Sequence, residues 1–418
     1  MKVTFQRINH RVQHMSWQQT FAALHYYNYR LWFIGQLVSL IGTWMQTTAQ
    51  AYLVFELTKS PAYLGYVGFA AGLPVWLFTL YGGVVADRVS RRTLMVVTQS
   101  AMMILAFILA WLVFAETVQP WQIILLAFLL GIANAFDAPT RQAFVVELVD
   151  RQDLTNAIAL NSIMFNAAVV VGPAVAGLTY AAFGPAWCFT INGLSFIAVI
   201  VALLLMRIQP MPRREGRTST VTELKEGLRY VASNSKVRML IGSQAVISLF
   251  GIGFMTLFPA WAVTVLGGNV TTNGLMLSAR GLGAVAAGLM IAALGRYRSK
   301  GKLWTLGSFL MPVMMLVFSL VRWIPLSLAV LVILGWSFMV LVNTSNALVQ
   351  TNISDNLRGR VMSLFTLAFF GFMPIGSLLA GSMANLVSEP VTVAVSALVL
   401  LAFAVFIWFR LPALRKLE

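Results

Sequence analysis

"WQIILLAFLLGIANAFDAPTRQAF", residues 121–144, runs apolar for three turns of helix and then places Asp137, Pro139 and Arg141 within five residues. The run matches the roughly 20 residues that cross a hydrocarbon layer and is too long for a barrel strand. Lipid offers a spanning backbone no hydrogen-bond partner but itself, so the segment reads as a membrane helix. Working outward, comparable stretches lie at 31–55, 62–86, 94–115, 156–181, 186–207, 239–266, 272–295, 303–321, 325–350, 361–387 and 390–409, with the opening segment extending to 146. That makes twelve spans. The composition agrees: the 418 residues are 59% hydrophobic and 10% charged, against roughly 25% charged in soluble domains.

Short loops rich in Lys and Arg stay cytoplasmic. Twenty-five of the 29 basic residues fall on the side shared by both termini, Lys59 and Arg322 fall on the other, and Arg141 and Arg280 fall within spans. Both termini are therefore placed in the cytoplasm. Topology and attraction to anionic lipid headgroups account for the net charge of +16, so no nucleic-acid partner is read from it. The lone Cys188 excludes an internal disulfide. No cleavable signal precedes the first span, which is expected to target the chain itself. Ahead of it, residues 1–30 carry Phe5, Ile8, Val12 and Met15 at helical spacing, with His10 and His14 nearby. This leader reads as a surface helix or as a disordered basic tail.

The polar, basic stretch 208–236 divides the spans six and six, so the organisation is a leader at 1–30, a bundle at 31–207, a linker, a second bundle at 237–410 and a tail at 411–418. The halves repeat. "GPAVAG" at 172–177 stands opposite "GSLLAG" at 376–381, an offset that also sets Gly131 against Gly335. The fold class is all-α membrane protein, with two pseudo-symmetric six-helix bundles related by an axis along the membrane normal. Such transporters bind at the midplane between the halves.

Helices 1, 4, 7 and 10 are then expected to line a central cavity, with polar residues in stripes spaced three and four apart. Helix 1 offers Gln36, Ser39, Thr43, Gln46 and Gln50; helix 4 offers Asn134, Asp137 and Arg141. Helix 7 offers Gln244, Ser248, Gly251 and Met255; helix 10 offers Asn343, Asn346 and Gln350. Each stripe taken alone is also what helix-to-helix hydrogen bonding requires. Trp44, Phe254, Trp261, Phe369 and Phe370 serve either as apolar cavity wall or as ordinary packing.

These residues resemble the major facilitator superfamily, in particular its bacterial efflux branch containing macrolide-efflux and enterobactin-exporter-like proteins. "GGVVADRVSRR", 82–92, is similar to the signature between helices 2 and 3, with Gly83, Asp87, Arg88, Arg91 and Arg92 in place and Ser90 where glycine is usual. "AVVVGPAVAG", 168–177, is similar to the helix 5 antiporter motif and keeps Gly172, Pro173 and Gly177, a hinge in that reading. "FDAPTRQAFVVELVDRQDLTNAIALNS", 136–162, closely resembles the branch's helix 4 to 5 segment. The superfamily's helix 4 arginine is Ala127 here, so its proton-transfer role is not carried over. The resemblance implies the major facilitator fold, a bacterial inner-membrane location, and export of a small molecule in exchange for protons by a monomer without cofactors.

Asp87 is expected to face the amino end of helix 11 near Gly359–Val361, where the helix dipole favours a carboxylate by ~0.3–1 kcal/mol. Asp137 and Arg141 form either a fixed brace around Pro139 or a pair that exchanges partners, since a carboxylate held by Arg resists protonation. Glu56, Asp87, Asp137 and Glu147 are the acids placed to carry a proton, with Asp355 and Glu389 read as loop residues. Arg280, deep in helix 8, receives an anionic group of the substrate, pairs with Glu56, or bonds to amides. The expected function is a secondary transporter exporting an amphipathic or lipophilic compound by alternating access; an importer, lipid mover or uniporter is the runner-up, and a receptor or scaffold the reading from another class. No metal-spaced cluster, span histidine or phosphate-binding "GxxxxGK[ST]" loop points to an enzyme or ATP-driven pump.

Overall fold

Apolar runs with no external hydrogen-bond partners fold as helices, and the computed structural model describes them over residues 21–207, 220–294 and 299–410, with 412 and 415. Side chains at 79, 80, 82–84, 86–88, 220–224, 355 and 356 lie outside this description, as do the leader residues Phe5 to Met15. The first half comprises α1 (Tyr27–Thr58), α2 (Pro61–Arg88), α3 (Arg91–Phe114), α4 (Pro120–Phe144), α5 (Leu154–Phe183) and α6 (Pro185–Leu205). The second comprises α7 (Ser235–Val265), α8 (Val270–Leu294), α9 (Lys300–Leu320), α10 (Ile324–Thr351), α11 (Asp355–Leu386) and α12 (Glu389–Arg410). Among the described residues eleven of these are long and apolar enough to cross a membrane. The other, α1, is 32 residues long and owes its lower hydropathy to Gln36, Gln46, Gln50 and its Thr residues.

Local chemistry sets the turns. Helices α2, α4, α6 and α10 each begin with proline in the first turn, where the missing N–H is not needed. These starts share the end away from the termini, called here the outer end. The turn into α6 uses Gly184 at φ 87° and the turn into α8 uses Gly267 at φ 60°, a region open to glycine at no steric cost. Ser90 does not need a glycine's freedom: at φ −55° its side chain caps α3 by accepting from the Thr93 N–H.

The linker ends in a helix, Thr220–Ser233, and α7 begins at Ser235. That helix lies on the basic end of α11, where Glu226 pairs with Arg360 and Tyr230 donates to the Asn352 carbonyl. Glu389 is not a loop residue but opens α12, 8% exposed, accepting from the Thr264 hydroxyl at 3.1 Å; Asp355 likewise begins α11. Helix α7 is irregular, turning from α-helical to π at Ile247–Ile252, to 3-10 at Gly253–Leu257 and again to π at Trp261–Val265. Gly253 lies against Gly376 with no space for a side chain, and Pro259 supplies no N–H to the ladder.

The halves pack in one order, α2–α4–α3–α6–α1–α5 and α8–α10–α9–α12–α7–α11, and meet where α2 lies on α11 and α5 on α8. The glycine repeat is this symmetry. Gly131 packs on the Ala71 carbonyl of α2 and Gly335 on the Arg280 carbonyl of α8; Gly172 meets α1 and Gly376 meets α7; Gly177 meets α8 and Gly381 meets α2. Small residues let backbones approach where lipid gives no hydrophobic drive to associate.

Candidate functional site: the seam between the halves

One face of α11 has two fates. Near the outer end Pro374, Ser377 and Gly381 are buried against Gly72, Gly68 and Gly65 of α2. By the ~100° per residue of an α-helix, Gly359, Ser363, Thr366 and Phe370 share that face nearer the basic end, and all four are exposed, Phe370 at 50%. Helix α5 behaves alike. Val170, Pro173 and Gly177 pack on α8, whereas Thr155, Ala159 and Ser162, on the same face, are exposed. Between 166 and 180 only Val171 and Leu178 are exposed, a single lipid-facing line. The seam is closed at the outer end and parted at the basic end.

Hydrogen bonds reinforce the closure. Ser278 donates to the Val170 carbonyl at 2.6 Å, Ser60 to Asn385 at 2.8 Å, and Thr256 to the Leu64 carbonyl at 3.3 Å. Ala260 of α7 and Val270 of α8 enter one apolar cluster with Met45, Ala49 and Leu53 of α1.

The expected cavity stripes are distributed as follows. On α1, Gln36, Thr43 and Gln50 lie opposite the exposed Ile34 and Val38; the Gln36 amide nitrogen is buried without a partner, and Thr43 donates to the Ser39 carbonyl. Gln46 turns instead toward α6 and accepts from Asn192 at 2.6 Å, beside Gly42, which also meets Asn192. On α4, Asn134 and Arg141 lie opposite the exposed Trp121, Leu125 and Leu129, and Asn134 donates to the Leu130 carbonyl. Met255 is half-buried against the core of the second half. On α10, Asn343 is half-buried, and Asn346 accepts from the exposed Gln350 at 2.5 Å. Gln244 and Ser248 are fully buried with side-chain atoms unpartnered, and Gly251 faces Met311 of α9.

Asp137 is 1% exposed and points at α3. Its Oδ1 accepts from Thr98 and Gln99, both at 2.9 Å, and its Oδ2 lies 3.7 Å from Arg141 Nε. Thr98 and Gln99 carry no signal in the sequence that marks them as its partners. Arg91 pairs with Glu147 at 2.6 Å and donates to the Ala143 carbonyl; Arg92 donates to the Leu204 carbonyl. Both arginines thus tie the start of α3 to neighbouring segments. The side chains of Asp87 and Arg88 lie outside the described residues, so the expected contact with Gly359–Val361 does too. Glu56 accepts from the Tyr180 hydroxyl near the outer end and does not pair with Arg280, whose guanidinium instead lies 5.1 Å over the Phe338 ring. Helix α5 continues through Pro173, with Gly172 packed on Trp44 and Ile41 of α1. Trp44 also stacks edge-on against Phe165, while Trp261 stacks on Phe318 at 4.4 Å deep in the second half. Trp261, fully buried, is not cavity wall.

A family described as Transmembrane secretion effector matches residues 18–418. The chain is similar to the Staphyloferrin A transporter of Staphylococcus aureus, 26% identical over 84% of this chain and 88% of that protein. It is likewise similar to the multidrug efflux pump Tap of Mycolicibacterium fortuitum, 26% identical over 90% and 94%. In fold it resembles the nucleoside transporter NupG, with a TM-score of 0.70, 16% identity and coverage of 94% and 100%. Two six-helix halves closed at one end and parted at the other are the frame of a major facilitator transporter, and the chain belongs to the Transmembrane secretion effector family of that superfamily.

Proposed function

We propose that the protein exports an amphipathic or lipophilic small molecule across the bacterial cytoplasmic membrane by alternating access, as a monomer, in exchange for protons and without enzymatic chemistry. The observation that carries this reading is the seam. The faces of α5 and α11 that seal the outer end are bare at the basic end, and the basic-residue bias supports a cytoplasmic position for that end. A compound entering there meets a closed outer barrier and leaves only when the halves rock. The multidrug efflux pump Tap among the relatives supports the direction.

Among the acids, Asp137 and Glu147 are each held by an arginine. Glu56 and Glu389 instead accept from neutral hydroxyls, those of Tyr180 and Thr264, and stand outside any ion pair among the described residues. The test is flux in proteoliposomes with an imposed pH gradient, using a macrolide, a lipophilic dye and a siderophore. Gradient-dependent movement of at least one, abolished by a protonophore, is expected. Flux indifferent to the gradient makes the protein a uniporter, and no flux at all removes the transport reading.

A further inference from the structure

The second half holds a cation that no described residue balances. Arg280 sits on α8 opposite the exposed Leu275, Leu282 and Leu289, so it faces the interior of the bundle and not lipid. Its guanidinium covers the face of Phe338, and among the described residues it has neither a carboxylate within ion-pair distance nor a hydrogen-bond acceptor. Asp137 is committed to Thr98, Gln99 and Arg141. Glu56 and Glu389 are committed near the outer end. An ionised side chain at membrane depth is costly and is tolerated where it meets a partner or a wet cavity.

The surroundings point to the missing partner. Arg280 adjoins Gly281, where α8 makes its contact with Val169 and Val170 of α5, the level at which the seam begins to part. Phe338 is 6.4 Å from Phe369, which is 4.9 Å from Phe370, and Phe370 stands on the parted face of α11. An aromatic run thus leads from the parted seam to the guanidinium. Two turns further out on the same face of α8, Asn273 is fully buried with both amide atoms unpartnered.

We propose that Arg280 accepts the acidic group of an amphipathic organic anion whose flat apolar body lies along Phe338, Phe369 and Phe370. Guanidinium binds a carboxylate in a two-pronged fork and keeps its stacking on an aromatic face while doing so. The anion supplies the counter-charge that the described residues do not, and Asn273 offers a donor and an acceptor to polar groups ahead of it. The proposal rests on the transport reading above and deepens it by naming the substrate class.

The probes are N-dansyl-phenylalanine and its neutral amide, followed by energy transfer from tryptophan and by flux in proteoliposomes, with empty liposomes correcting for partition. Wild-type protein is expected to bind the acid at least tenfold more tightly than the amide. Arg280→Gln erases that preference with amide affinity unchanged, and Arg280→Lys keeps part of it. Equal binding of acid and amide, a preference that survives in Arg280→Gln, or no binding above empty liposomes overturns the assignment. Acid-selective binding without flux leaves it standing and removes the transport reading; equal flux of both probes does the reverse.

Discussion

Asp137 shows how far side-chain spacing goes toward a structural role. Its partner Arg141 is one turn away and legible from the sequence, because residues four apart on a helix are neighbours. Thr98 and Gln99 are not, since a stripe tells which residues share a face and not which helix that face meets. The same ignorance hides the turn of Gln46 toward Asn192. The geometry makes the Asp137 cluster a clasp between α3 and α4, and removing Arg141 leaves a buried carboxylate without its counter-charge. Breaking such a pair costs about 3–5 kcal/mol. Arg141→Ala is therefore expected to lower stability in detergent, by chemical or thermal unfolding, by about 3 kcal/mol. Arg91→Ala removes a partly exposed pair with Glu147 and is expected to cost under about 1 kcal/mol. Equal losses in the two variants would show that Arg141 does not hold the clasp.

At the scale of elements, glycine positions divide by what they touch. Gly283 and Gly335 lock α8 to α10 within one half, against the carbonyls of Val332 and Arg280, while Gly65 and Gly177 lie on the seam, against Ser377 and Thr271. Overpacking inside a half has no escape and costs about 1–3 kcal/mol, partly offset by the roughly 1 kcal/mol that alanine gains over glycine in a helix. At the seam the halves can separate instead. Gly283→Ala and Gly335→Ala are thus expected to lower the melting temperature, whereas Gly65→Ala and Gly177→Ala leave it nearly unchanged and shift the protein toward a state open at the outer end. Distances between spin labels across the outer seam read that shift; unchanged distances would mean the seam tolerates the added methyl in place. The 204-residue offset was legible because both halves need the same close approaches. The changes of helix type in α7 were not, although Gly251, Gly253 and Pro259 stand within them, because an apolar run reads alike in any hydrogen-bond register.

For the whole molecule, twelve spans and two halves follow from apolar length and charge bias, quantities that depend on lipid and not on which end is open. The open end is a property of one state, and a sequence must serve every state. The parted face shows that compromise: Thr155, Ala159, Ser162, Gly359, Ser363 and Thr366 are small or hydroxylated, able to meet water in one arrangement and pack on a partner helix in the other. Alternation makes this exchange measurable. Cys188 is the sole cysteine and is fully buried, so single introduced thiols report with little background. In the arrangement described, Ser162→Cys and Thr366→Cys are expected to react quickly with a hydrophilic maleimide from the basic side, and Ser377→Cys slowly from either side. A ligand or pH gradient that favours the opposite state acts only through its different affinity for the two states, and it should slow the first pair while exposing Ser377→Cys from the outer side. Reciprocity is the decisive outcome. If labelling at 162 and 366 falls while 377 stays closed under every condition, the halves clamp shut on a bound compound without rocking, and the seam is not an alternating pathway.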